Sequence, residues 1–291
     1  MSEGAREVDV AAWVERARSD SVTYRQRQTV EITLNAIAMT AQLNSRLYLK
    51  GGILMGLAYD SPRQTADIDL TTAFVSGPEI DNQITKLLDD AFPRAAAKLG
   101  YIDLIVKVHS VSRRPKNFFV DAQFPALKLK VAFAERGTKQ EAALCKGKAP
   151  VIDIDISFNE PLSQIEILEL TGGAELQAYS LLDLMAEKYR AMLQQKERNR
   201  NRRQDTYDLN RLIQANEFDK AFTNQLLASF LEKCHSRGII PNETSLDDPE
   251  IKNRSGSEWD SMELEIGELP SFEECYERVA AFYRSLPWKI H

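Results

Sequence analysis

The sequence predicts an α/β (α+β) protein in which a mixed sheet flanked by helices is followed by a mostly helical C-terminal region. Three observations carry this reading: helical periodicity at the start of the chain, short alternating apolar strands in its middle, and helical spacing again from Ser180 onward. At 291 residues, with 43% hydrophobic and 27% charged side chains, the chain can bury a core without disulfide staples.

Val10, Trp13, Val14 and Ala17 form one apolar stripe, and the segment from Thr23 to Leu43 is rich in Ala, Ile and Leu, so the first forty residues read as two helices. The short apolar strand Leu47-Tyr48-Leu49 runs through Lys50-Gly51-Gly52 into a helix over Ile53–Tyr59. A polar connection from Asp60 to Thr65 leads to Asp67-Ile68-Asp69-Leu70, where alternation puts both aspartates on one strand face and Ile68 and Leu70 on the other. A helix is expected over Asp81–Leu99, then strands at Tyr101–Val111, Phe118–Gln123, Leu127–Ala134, Val151–Ser157 and Ile165–Leu170. Ser180 is placed to cap a helix over Leu181–Gln195, with Leu182, Met185, Tyr189 and Met192 at helical spacing. Further helices are expected over Arg203–Gln214, Phe218–Cys234 and Phe272–Ser285, with a polar, acidic loop from Pro241 to Pro270.

The formal net charge is −6, yet it is unevenly spread. Residues 1–203 carry 28 basic against 26 acidic side chains, whereas residues 204–291 carry 9 against 17. The first part therefore has room for a basic face. No apolar run reaches the roughly 20 residues that span a bilayer, and the start MSEGAREVDV lacks a secretory pattern, so a cytoplasmic protein without a membrane partner is expected. Cys145, Cys234 and Cys275, with His109, His235 and His291, are too scattered for a zinc site or disulfide framework, and free thiols are expected.

The informative constellation is Lys50-Gly51-Gly52, then fourteen residues, then Asp67-x-Asp69, and later a second acidic strand holding Asp153 and Asp155. Two like charges about 4 Å apart repel by about 4 kcal/mol at an effective dielectric of about 20, and a hard divalent cation removes that cost. Mg²⁺ takes one or two carboxylates plus substrate phosphate oxygens, and a third carboxylate from a neighbouring strand would complete a two-metal site. A glycine pair opening a helix lets backbone N–H groups approach a nucleotide triphosphate. Each piece alone also fits a surface strand or a simple turn; their order along the chain is what combines them.

These residues resemble the nucleotidyltransferase superfamily of polymerase-β-like fold, and within it the AbiEii/AbiGii toxin family. The family pattern K-G-G-(helix)-Y-x(3)-R-x(3)-D-x-D is matched by Lys50, Gly51, Gly52, Tyr59, Arg63, Asp67 and Asp69, and its later I-D-I-S strand by Ile154-Asp155-Ile156-Ser157. A helix of the type L-x-A-E-K-x-x-A is matched by Met185-Ala186-Glu187-Lys188-Tyr189-Arg190-Ala191, and R-x-D-x-Y-D-L by Arg203-Gln204-Asp205-Thr206-Tyr207-Asp208-Leu209. The motifs span Leu47 to Leu209. Many nucleotidyltransferases have Gly-Ser where this chain has Gly51-Gly52, so phosphate contacts here would come from the backbone alone.

The chain is read as N-terminal helices over residues 1–45 packed on a nucleotidyltransferase core over 46–175, and a helical C-terminal domain over 176–291; no motif of the resemblance covers the N-terminal helices or the acidic C-terminal segment. The resemblance implies Mg²⁺-dependent transfer of a nucleoside monophosphate from an NTP, releasing pyrophosphate, with Asp67, Asp69 and Asp155 at the metal. Gly51, Gly52, Arg63 and Lys188 would hold the nucleotide, with Lys188 and Asp205 counted among the catalytic residues. Asp208, one turn on, could equally be a helix-face or capping acid. The implied setting is a bacterial toxin–antitoxin or phage-defence (abortive infection) system, with RNA, the 3′ end of tRNA, as acceptor and a separately encoded antitoxin. The rivals are a nucleotidyltransferase acting on a small-molecule or protein hydroxyl, and a catalytically inactive binding protein, which the joint presence of Asp67, Asp69, Lys188 and Asp205 opposes. The run Lys196 to Arg203, with five cations and one anion, reads equally as a solvated loop or as a phosphate-binding patch for RNA.

Overall fold

The structure, a computed structural model, describes residues 4–63, 65–144 and 146–288, so the expectations for Gln64, Cys145 and His291 lie outside the described residues. Two compact units emerge. The first comprises Met1–Ala58, Thr65–Glu160 and Glu166–Ala178; the second comprises Tyr59–Gln64, Pro161–Ile165 and Tyr179–His291.

The chain opens with strand β1 (Arg6–Val8), then α1 (Val10–Glu15), α2 (Ser21–Ala38) and α3 (Ala41–Asn44). Asp9 and Asp20 cap α1 and α2 by accepting backbone N–H groups of the first turn. β2 (Leu47–Lys50) turns directly into α4 (Gly51–Ala58), and β3 (Ile68–Thr72), α5 (Ile80–Lys98), β4 (Leu104–Arg114) and β5 (Ala126–Glu135) follow. After α6 (Lys139–Leu144) come β6 (Val151–Phe158), β7 (Ile165–Leu170) and β8 (Ala174–Tyr179). Among the described residues these form one eight-stranded sheet, ordered β1-β7-β8-β2-β3-β6-β5-β4. It is mixed: β3 runs parallel to β6 and β2 parallel to β8, while β2–β3, β6–β5 and β5–β4 are antiparallel.

Alternation places the core. Ile152, Ile154, Ile156 and Phe158 of β6, Ile68 and Leu70 of β3, and Leu127, Leu129 and Val131 of β5 are buried on one face, where α2 packs against β6 and α5 against β4. Each such side chain contributes about 1.5–3 kcal/mol on leaving water. The other face of β3, β6, β5 and β4 carries the polar residues of the same alternation, including Asp69, Asp153, Asp155, Lys128 and Lys130.

The second unit holds α7 (Leu181–Leu193), α8 (Gln195–Arg198), α9 (Arg203–Ala215), α10 (Lys220–Ser236), α11 (Pro249–Gly256), α12 (Glu263–Ile266) and α13 (Phe272–Arg284). Ser180 caps α7 as expected, its hydroxyl accepting from the Asp183 N–H. Around α7 the core contains Tyr189, Phe230 and Tyr283 in mutual edge and tilted contact. Asp183 and Lys233 form a buried ion pair at 2.8 Å, and Asp183 also accepts from the backbone N–H groups of Ser163 and Gln164.

Four features depart from the sequence reading. The first forty residues include the edge strand β1, paired in parallel with β7. Phe118–Gln123 is a turn rather than a strand: Phe119 alone of its Phe-Phe-Val run is buried, and Phe118 sits at a φ of 62°. Ala174–Tyr179 is a strand that the sequence reading lacks. The stretch between Pro241 and Pro270 holds α11, α12 and two short 3₁₀ turns instead of a plain loop. Cys234 and Cys275 are free and buried, and burial pushes their thiols up to about 12 and about 11, so neither is a reactive thiolate. No helix among the described residues is long and apolar enough to cross a membrane.

Candidate active site

In the first unit, register gathers the acids. Asp69 lies opposite Asp155 across the parallel β3–β6 pair and opposite Lys50 across the β2–β3 pair. Asp67 immediately precedes β3. Although Asp67 remains open to solvent, desolvation by the surrounding protein, then the charges of Asp153 and Asp155, hold its carboxyl above the usual range against a smaller opposing pull from Lys128. Desolvation is the larger cause; the neighbouring carboxylates add to it.

Gly51 has a φ of +72°, the left-handed region that glycine enters freely. A Cβ built there would lie 2.1 Å from Asp69 Oδ2, so the glycine turn and the Asp69 carboxylate occupy adjoining space that only a residue without a side chain leaves open. Gly52 is buried in the first turn of α4. Gly51→Ala is therefore expected to push Asp69 aside by about an ångström and to lower turnover by on the order of 10²-fold. Initial rates of pyrophosphate release check this, and a wild-type rate would separate the turn from the carboxylate.

Register also distinguishes Asp153 from Asp155. Asp153 is bound by Lys128, whose ammonium it holds above the ordinary value, and its second oxygen is buried with no hydrogen-bond partner among the described residues. Asp155 lies 4.0 Å from the guanidinium of Arg114 and across the β5–β6 pair from Lys128, and it is the acid facing Asp69. Among the described residues no three His, Cys, Asp or Glu side chains converge into a ready-made metal cage; Asp69 and Asp155 are neighbours on one face of the adjacent interior strands β3 and β6. The donor set nevertheless fits a hard divalent cation, being all carboxylate, with Asp69 and Asp155 in register across adjacent strands. Asp67, Asp69 and Asp155 are the residues that would hold it.

The second unit contains the other predicted group, drawn tightly together. Lys188 on α7 donates to Asp208 Oδ2 at 2.6 Å and to Asp205 Oδ1 at 3.1 Å, both on α9. Arg63, from the stretch that belongs to this unit, reaches the same Asp208 oxygen at 3.3 Å. Burial alone would depress the Lys188 ammonium, but the charges of Asp208 and Asp205 outweigh it and hold its pKa above the ordinary value. Burial would likewise raise Asp208, and Lys188 with Arg63 reverse this and hold it below the usual carboxylate range. Asp208, for which the sequence left a capping role open, is thus the fully buried centre of the cluster, and Asp205 its more open rim.

The basic run is largely spent within its own unit. Lys196 pairs with Asp248 and lies 3.4 Å from Glu250, Arg202 lies 3.5 Å from Asp205, and Arg203 lies 3.1 Å from Glu258. The acidic C-terminal segment thus neutralises much of the patch read from sequence.

A mixed sheet bearing register-paired carboxylates beside a glycine turn is the arrangement that the nucleotidyltransferase resemblance implies. Residues 32–278 match the family described as "Nucleotidyl transferase AbiEii toxin, Type IV TA system", and the chain belongs to that family. It is accordingly a nucleotidyltransferase of the toxin type, with an NTP as substrate and an antitoxin as partner. Among solved structures it is similar to MenT4, a nucleotidyltransferase toxin from Mycobacterium tuberculosis H37Rv, at 16% identity and a TM-score of 0.49, over 94% of this chain and 99% of that one. No curated protein matches it.

Proposed function

We propose that the chain transfers a nucleoside monophosphate from an NTP to a 3′-hydroxyl of RNA, the 3′ end of tRNA, in a Mg²⁺-dependent reaction that serves phage defence in the cytoplasm. The register pairing of Asp69 with Asp155, flanked by Asp67 and the Gly51 turn, is the observation that carries this. Backbone N–H groups at Gly51 and Gly52 bind the triphosphate. Asp155 accepts the proton of the attacking 3′-hydroxyl while the hydroxyl oxygen bonds the α-phosphorus and the bond from that phosphorus to the pyrophosphate leaving group breaks. Mg²⁺ held by Asp67, Asp69 and Asp155 would supply charge neutralisation at the transferring phosphoryl group. Lys188 balances triphosphate charge, and Asp205 orients it. RNA is favoured over a small-molecule or protein hydroxyl by the toxin family and by the cations that border the acids on β5 and β4.

The test is incubation with each α-labelled NTP in turn, Mg²⁺ and total bacterial RNA, with products resolved on a denaturing gel. Label in a tRNA-sized band is expected. Label confined to the protein or to a small molecule would replace this acceptor.

The metal assignment has its own readout. A folded-state pKa raised above the unfolded value contributes stability only at acid pH, and that contribution is lost as pH rises through the folded pKa. Ionised Asp67 should therefore cost stability near neutrality, and Asp67→Asn should melt above wild type in EDTA at pH 7, the gain vanishing below about pH 4. Mg²⁺ at about 100 times its Kd should stabilise wild type by about 2.7 kcal/mol while leaving the variant nearly unmoved. Equal Mg²⁺ responses would remove Asp67 from the metal site.

A further inference from the structure

The acids do not stand alone on their sheet face. Across β5 and β4 the same face carries Lys128 opposite Asp155, Lys130 opposite Asp153, then Ser110 opposite Lys130, Ser112 opposite Lys128, and Arg114 at the strand end. The contacts of Lys128 with Asp153 and of Arg114 with Asp155 confirm that these side chains share the acids' side. Lys130, Ser110, Ser112 and Arg114 are exposed, and among the described residues Lys130 has no ion-pair partner. No acidic residue occurs in β4, and β5 has only Glu135 at its far end. The face thus passes from acidic on β3 and β6 to one on β5 and β4 whose polar side chains are cations and hydroxyls without an acid, the two strands lying about 5 and 10 Å from β6 by strand spacing.

We infer that this β5–β4 face binds the phosphate backbone of the acceptor RNA next to its 3′ end, with Lys130, Arg114 and the Ser110 and Ser112 hydroxyls as the positioning groups. The inference rests on the proposed RNA transfer and names the surface that serves it. Lysine, arginine and serine side chains are those that fix a nucleic acid's register through phosphates without reading bases. A 3′-hydroxyl delivered to Asp155 must bring its preceding phosphates over adjacent strands, and β5 and β4 offer the matching charge there. The Lys196–Arg203 run, whose cations are mostly held by Asp248, Asp205 and Glu258, is not needed for it.

The test uses the full chain and a 5′-fluorescent single-stranded RNA with a free 3′-hydroxyl, its affinity followed by anisotropy over a salt series. Lys130→Glu should weaken binding by about tenfold and flatten the log–log salt slope by about 0.7, the value of one single-strand phosphate contact. Lys130→Glu/Ser112→Glu should weaken it further, and Arg200→Glu in the other unit should leave both quantities unchanged. NTP binding should be the same in all variants. Wild-type affinity and slope in Lys130→Glu, or loss of binding in Arg200→Glu instead, would overturn the inference. Displacement of the RNA by polyglutamate at equal charge concentration would also overturn it, by showing a surface for acidic polypeptide. Pyrophosphate release in the same samples separates the two readings. RNA-dependent release that Lys130→Glu leaves intact sinks the surface alone; Lys130-dependent binding without RNA-dependent release sinks the transfer reaction alone.

Discussion

Asp69→Asn should lower nucleotide transfer by on the order of 10³-fold while leaving the protein folded. The side chain lies at a strand register position fixed on both sides, by Lys50 of β2 and Asp155 of β6, so an isosteric amide keeps the shape of the site. Its oxygen also lies beside Gly51, at the distance where a Cβ would collide, which places its charge where the phosphates of a nucleotide on the glycine turn would need it balanced. The substitution removes one negative charge and no volume. Single-turnover rates with saturating NTP, and a melting curve in EDTA, check the two halves of this expectation. A near-wild-type rate would sink the assignment of the Asp67-x-Asp69 pair to the reaction.

Much of the first unit was legible because its strands alternate strictly. Ile152, Ile154 and Ile156 pointed inward in the sequence as they do in the fold, and the acids between them followed. What alternation cannot supply is register. Asp153 and Asp155 share a face and a residue type, and only pairing across β3 and β5 shows one facing Asp69 and the other bound by Lys128. The cationic strip on β5 and β4 was hidden for the same reason: its members are far apart in sequence and become neighbours only through the sheet. Edge strand β1 was unreadable because three residues have no period, and its partner β7 lies some 160 residues away. In the second unit, amphipathic helices were visible, but charge was misleading. The Lys196–Arg203 run looked free because its acidic partners come from the segment around Asp248 and Glu258, which the sequence left as loop.

The Lys188 cluster yields the largest expected effect on stability. Lys188→Met removes the closer of the two cations on Asp208, leaving a fully buried carboxylate with Arg63 alone at 3.3 Å. Breaking a buried pair from one side costs about 3–5 kcal/mol, which corresponds to a fall of roughly 10 °C in Tm. Low activity in that variant would therefore say little by itself. Lys188→Met/Asp208→Asn removes one charge of each sign, keeps Arg63 beside Asp205, and should recover most of the lost stability, since the cost comes from the uncompensated charge rather than from the missing pair. If Lys188 acts on the triphosphate, the double variant should melt close to wild type and still show a raised KM for NTP and depressed turnover. Recovery of NTP kinetics along with stability would make Lys188 a purely structural member of the helical unit. Asp205→Asn, at the open rim, supplies the converse: little change in Tm, because its side chain is the less buried of the two acids, and a loss of turnover.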